Sequence, residues 1–130
     1  MEEHSKFKYK KYIFPSEKSP LNSIPFHSDS KDIKRFFSNN FPIHLVIHEI
    51  NGAERKEGKY VEKHNHPKPE INILLGNVKY KVALGDEEYI VQAPANIWIP
   101  GGLNHSAMLI EGKGYFVCLI LGDKYIANGK

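Results

Sequence analysis

Residues 70–91 read EINILLGNVKYKVALGDEEYIV, and their period of two decides the fold class. Val78, Tyr80, Val82 and Leu84 alternate with Lys79 and Lys81, as in a strand with one packed and one wet face. Just upstream, Glu70, Asn72 and Leu74 share one face, and Ile71 and Ile73 share the other. Gly76-Asn77 and Gly85-Asp86 predict hairpin turns. Working outward, residues 43–50 (IHLVIHEI) set Ile43, Leu45 and Ile47 against His44, Val46 and His48. Strand-length runs follow at 60–66, 97–99, 106–110 and 115–121, with Gly112-Lys113-Gly114 expected as another turn. About eight short strands with no long amphipathic helix predict an all-β sandwich or barrel.

The N-terminal third reads differently. Lys6, Lys8, Lys10 and Lys11 are followed by Pro15, Pro20 and Pro25, which predicts an irregular arm with a short strand near 9–14. Ser30 can cap the segment KDIKRFF (31–37), and Ile33, Phe36 and Phe37 would form one apolar side, so a short helix is expected there. Asn39, Asn40 and Pro42 would end it.

Composition narrows the function. At 130 residues, 41% hydrophobic and 25% charged, the chain suits one globular domain. The net charge of +3 is scattered over lysines, and only Arg35 and Arg55 are arginines, which argues against nucleic-acid binding. Cys118 is the single cysteine, so no intrachain disulfide is possible. It lies in the apolar run YFVCLIL, where an inert packed thiol is expected. No signal-peptide pattern or membrane-length apolar run occurs, and the expectation is a cytoplasmic protein with no membrane partner.

The chemistry lies between Gly58 and His105. His64 and His66 are two residues apart, so on a strand both leave the same face. Glu70 opens the next run, and His105 follows the Pro100-Gly101-Gly102 turn. Three imidazoles and one carboxylate suit a divalent transition metal better than calcium or magnesium. No cysteine is available to close the site as in structural zinc centres.

These residues carry a resemblance. GKYVEKHNHPKPEINILLG (58–76) resembles the first motif of the cupins at Gly58, His64, His66, Glu70 and Gly76, with the last spacer one residue short. PANIWIPGGLNHSAML (94–109) resembles the second at Pro100, Gly102 and His105. It departs at Pro94, where the family has glycine, and at Leu109, where it has asparagine. The resemblance spans about residues 43–121. It implies a double-stranded β-helix, or jelly-roll barrel, over 43–130, preceded by an arm over 1–42 whose short strand and one short helix pack on it. It also implies that His64, His66, Glu70 and His105 hold one divalent metal per chain (iron, manganese, nickel, zinc or copper), with coordination positions left open.

The remaining candidates are second to these four. His48 and Glu70 are the candidate proton-transfer groups, with Glu70 spent as a ligand if the metal site is full. Asn72, Tyr60, Tyr80, Arg55 and Trp98 are candidate substrate contacts. The expected function is a metal-dependent enzyme of oxygenase, isomerase or lyase type acting on a small polar organic molecule. The alternative is a non-catalytic sensor or storage protein for a metal or small ligand. A homodimer, with FKYKKYIF (7–14) exchanged as a lysine-protected edge strand, is expected by the same resemblance.

Overall fold

The computed structural model of the protein describes residues 8–19, 33–38, 40–52 and 61–122. Among these, eight antiparallel strands carry the fold: β1 (Glu17–Ser19), β2 (Ile33–Phe37), β3 (His44–Asn51), β4 (Val61–His64), β5 (Glu70–Leu84), β6 (Glu87–Gln92), β7 (Ala95–Ile99) and β8 (His105–Ile120). The two longest, β5 and β8, pair along their whole length. Every other strand is organised by that ribbon. One half of it, residues 70–78 with 112–120, joins β7 on one side and β3, β2 and β1 on the other. The other half, residues 79–84 with 105–111, joins β6 and β4. One ribbon shared by two strand sets is the double-stranded β-helix expected of the chain.

The ribbon bends where its side chains vanish. Gly76 faces Gly114, and Gly76, Gly112 and Gly114 all take positive φ. A Cβ on Gly112 would stand 1.9 Å from the Asn77 carbonyl oxygen, and one on Gly114 2.2 Å from that of Leu75. Only glycine permits that approach. The glycines expected to be hairpin turns therefore mark a bend in continuous strands. Gly85-Asp86 does form the expected turn, between β5 and β6.

A register shift lies beside the bend: Lys79 pairs with Glu111 but Tyr80 pairs with Leu109. Ile110 is the extra residue, and such a bulge reverses the alternation along its strand. Phe116 and Ile120 are buried on one side of it, and His105, Ala107 and Leu109 on the other. Even-numbered positions face inward after the bulge and odd-numbered ones before it. Without Ile110, His105 would point away from the interior that Phe116 faces. On β5, by contrast, Glu70, Asn72, Leu74, Val78, Tyr80 and Val82 are all buried with no change of phase.

The arm departs from expectation in three places. Residues 33–37 form β2, not a helix, and Ile33 and Arg35 are buried between exposed or half-buried neighbours. Seven residues fit both periods, and a helix that short barely repays its nucleation. The open edge of β3 offers five paired positions instead. Residues Lys10–Tyr12 form one 3-10 turn where a strand was expected. Residues 17–19 and 33–37 thus continue the barrel's own sheet across the expected boundary at 42/43. Ser38 fastens the arm, its Oγ lying 3.0 Å from the Pro15 carbonyl and 3.1 Å from Ser16 Oγ.

The core gathers at the bend, with Leu74, Val78, Tyr80, Leu109 and Phe116 almost fully enclosed. The Tyr80 ring lies on that of Phe116 with centroids 4.8 Å apart. Leu109 fills the packing position where the cupin motif has asparagine. Pro94, the other departure, follows a cis peptide between β6 and β7. No helix among the described residues is long and apolar enough to cross a membrane.

Candidate metal centre

Both motifs meet at the end of the barrel away from the bend. His64 stands opposite His105 across the β4–β8 pairing. The Pro100–Gly102 turn is stitched to the histidine strand, because Gly102 N–H donates to the His66 carbonyl at 2.8 Å. A Cβ on Gly101 would lie 2.1 Å from the Pro67 carbonyl oxygen, so this contact requires glycine. Asn65 Nδ2 also donates to Asn104 Oδ1 at 2.7 Å.

Through these ties the ligand atoms of His64, His66 and His105 all come within 4.8 Å of one another, and all three residues are buried. Glu70 enters from the facing half of the ribbon. Its Oε1 lies 2.7 Å from His66 Nε2 and 3.1 Å from His105 Nε2. Its Oε2 accepts from Asn72 Nδ2 at 2.6 Å and from the Cys118 thiol at 3.1 Å.

The other ring nitrogens decide the electrostatics. His66 Nδ1 lies 2.8 Å from the Lys68 carbonyl oxygen, and His105 Nδ1 lies 2.9 Å from that of Leu103. A carbonyl only accepts, so both Nδ1 atoms carry hydrogen. In neutral rings both Nε2 lone pairs then face the Glu70 oxygen, acceptor against acceptor. The site therefore calls for a cation among these atoms, either protons on the rings or a metal ion. A second nitrogen fixed by a backbone carbonyl is also how metal-binding histidines are oriented.

The titration shifts have the same origin. Burial by itself would raise the Glu70 carboxyl, but the hydrogen bonds from His105, His66 and Asn72 overcome it and hold the group far below the usual carboxylate range. For His66, burial disfavours the imidazolium, yet Glu70 and the Lys68 carbonyl outweigh it and the net shift is upward. Burial, followed by the adjacent Glu70, pushes the Cys118 thiol well above its ordinary value, so it stays a neutral donor.

The other candidates divide. Asn72 reaches the centre through Glu70. His48 faces the interior from β3, buried and stacked on Phe116 at 5.8 Å. His44 is also buried on that face, against Phe37. Tyr80 faces inward but is enclosed by core. Trp98 leaves the opposite face of β7 from Ile97 and Ile99 and is 57% exposed, which takes it out of the interior because an odd step along a strand reverses direction. Tyr60, Arg55, His4 and His27 lie outside the described residues.

Two further polar residues of the interior lie beyond the candidates named from the sequence. Cys118, expected as an inert packed thiol, is a neutral donor to a carboxylate 48 positions away in sequence. Arg35 was assigned to a helix, although the alternation Ile33, Arg35, Phe37 already placed it on an inward face.

No protein-family model matches this sequence, and no curated protein matches it. Solved structures do match in fold. KdgF from a Halomonas species is 15% identical with a TM-score of 0.58, covering 82% of this chain and 96% of that one. A cupin 2 conserved barrel domain protein from Rhodopseudomonas palustris is 12% identical with a TM-score of 0.60, covering 89% and 77%. The polyketide cyclase RemF from Streptomyces resistomycificus is 13% identical with a TM-score of 0.61, covering 99% and 85%. With a ribbon of two long strands bent through two strand sets, and with these structural matches, the chain has the cupin fold.

Proposed function

We propose that the protein is a metal-dependent enzyme acting on a small polar organic molecule inside the barrel, with His64, His66, His105 and Glu70 as the metal ligands. The observation that carries this reading is the convergence of His66 Nε2 and His105 Nε2 on Glu70 Oε1 while both Nδ1 atoms are committed to carbonyls. Four protein donors leave room for a ligand on a five- or six-coordinate ion. A bound divalent ion would supply Lewis acidity toward a substrate oxygen.

The chain's own residues have definable parts. Asn72 and Cys118 hold Glu70 Oε2 and so aim Oε1 at the histidines. The Lys68 and Leu103 carbonyls hold the rings of His66 and His105. His48, on the interior wall and not a member of the metal-ligating set, is the proposed proton carrier. That the same fold houses a polyketide cyclase in RemF supports catalysis over storage.

The test uses untagged protein stripped with a chelator and reloaded separately with iron, manganese, nickel, zinc or copper. Each form is offered a panel of small hydroxy- and oxo-acids. Turnover that disappears on stripping and returns with one metal is expected. Tight binding without turnover under every metal would contradict catalysis and leave a binding protein.

A further inference from the structure

Arg35 is 4% exposed, and the proposed metal centre makes no use of it. It lies in a row of inward residues crossing the sheet: Ser19, Arg35, His48, Phe116 and Leu74 are successive partners from β1 to β5. The neighbouring row toward Glu70 holds Phe37, Val46, Cys118 and Asn72. The guanidinium leans that way, its central carbon 5.1 Å from the centre of the Phe37 ring. One nitrogen, Nη1, donates to Ser19 Oγ at 2.6 Å. Nε, also buried, has no hydrogen-bond partner, and no carboxylate among the described residues pairs with the group.

A guanidinium stays charged in a protein, and a buried charge without a counter-ion is costly enough that such groups are normally paired. Burial accordingly pulls the Arg35 pKa down. Cys118 is not the counter-ion, because its thiol hydrogen is donated to Glu70 Oε2. Glu70 cannot be either, because both its oxygens are engaged by His66, His105, Asn72 and Cys118. Nε belongs to the side-on edge with which arginine grips a carboxylate in two parallel bonds.

We infer that Arg35, braced by Ser19, is the anion subsite of the barrel, and that the ligand carries a carboxylate which docks there. This rests on the interior being a ligand cavity, as proposed above, but not on a metal being present. The carboxylate would lie along the wall from Asn72 and Cys118, with the rest of the molecule directed toward the histidines. The substrate class is therefore a small organic acid, not a neutral sugar or an amine.

The experiment is a calorimetric titration of chelator-stripped protein with malonate and with its neutral counterpart malonamide. Malonate is expected to bind and malonamide not. Arg35→Met should weaken malonate by about 10- to 100-fold, with Arg35→Lys in between because it keeps the charge without the fork. Metal loading of Arg35→Met is measured separately and should equal that of the unaltered protein, so failure of the anion subsite and failure of the metal centre give different patterns. If Arg35→Met does not fold, the unaltered protein still decides. With only two arginines in the sequence, it has two Nε–H signals in a nitrogen-15 spectrum, and Arg55→Lys identifies them. The Arg35 signal should move on adding malonate. Equal binding of malonamide, undiminished malonate binding by Arg35→Met, or an unmoved Arg35 signal would overturn the inference.

Discussion

The two ends of the barrel interior are built by the same two strands and are chemically opposite. Toward the bend, β5 and β8 contribute Leu74, Val78, Tyr80, Leu109 and Phe116, all enclosed. Away from it they contribute Glu70, Asn72, Cys118 and His105, joined by hydrogen bonds. The apolar end gains stability by leaving water, roughly 25 cal/mol for each Å² of apolar surface removed. The polar end is expensive to bury and is held by complete pairing of its carboxylate. Shape and chemistry are thus separated along one ribbon, so each can be broken without the other.

The largest effect should come from the bend. Gly114→Ala sets a methyl group 2.2 Å from the Leu75 carbonyl oxygen at a φ of +151, and a loss above about 4 kcal/mol is expected. Soluble expression and a circular dichroism melt would check it; a melt unchanged from the unaltered protein would show that the bend tolerates a side chain. Leu74→Ala at the apolar end should cost about 2–5 kcal/mol and leave the metal content alone. Chemical denaturation and elemental analysis on the same sample test both halves of that statement.

At the polar end the order reverses. Asn72→Ala frees one hydrogen-bonding position on Glu70 and should weaken metal binding by about 10- to 100-fold with a smaller change in the melting of the stripped protein. Competition with a metal-sensitive dye measures the first, and a thermal melt the second. A loss of stability as large as that of Leu74→Ala would mean that the two ends are not separate.

The smallest expected effect is on pH dependence, and its sign is informative. His66 titrates above its ordinary 6.5 in the fold, so its contribution to the stripped protein is complete below that value and fades as pH rises through the raised one. Glu70 titrates below its ordinary 4.5, so its contribution is present above 4.5 and fades only as pH falls through the depressed value. Stripped protein should therefore melt lower at about pH 8 than at about pH 6, while metal-saturated protein should not, because metal binding favours deprotonated ligands. Parallel melting curves in the two states would show that proton and metal do not share the site.

How legible each end was in the sequence follows from the range of the interactions. Alternation along 43–50 and 70–84 is a local property: it places Asn72, Leu74 and Tyr80 on inward faces and His44 and His48 together on one face, while which face of 43–50 is the inner one depends on the pairing of that strand. The ligand spacing was equally local for His64 and His66, and the turn before His105 announced itself through Pro100 and Gly102. The bend is hidden in the sequence because glycine looks the same in a hairpin and in two strands pressed backbone to backbone. Only the pairing of Gly76 with Gly114, 38 residues apart, distinguishes them. The Ile110 bulge leaves no compositional mark, yet it brings His105 into phase. The seven residues 31–37 satisfy two periods, and for Ile33–Phe37 the edge of β3 decides between them. The bond of Cys118 to Glu70 depends on a partner that only the sheet brings near, whereas the inward face of Arg35 follows locally from the alternation of Ile33, Arg35 and Phe37 once that segment is a strand.

The central claim is that the polar end holds one metal ion between His64, His66, His105 and Glu70. Elemental analysis of untagged protein, after reconstitution and removal of free metal, tests it most directly when run beside His105→Ala. About one equivalent of a divalent transition metal per chain, abolished in His105→Ala while that variant still folds, is the result expected. No metal above background in the unaltered protein, or an equal load in His105→Ala, would contradict it.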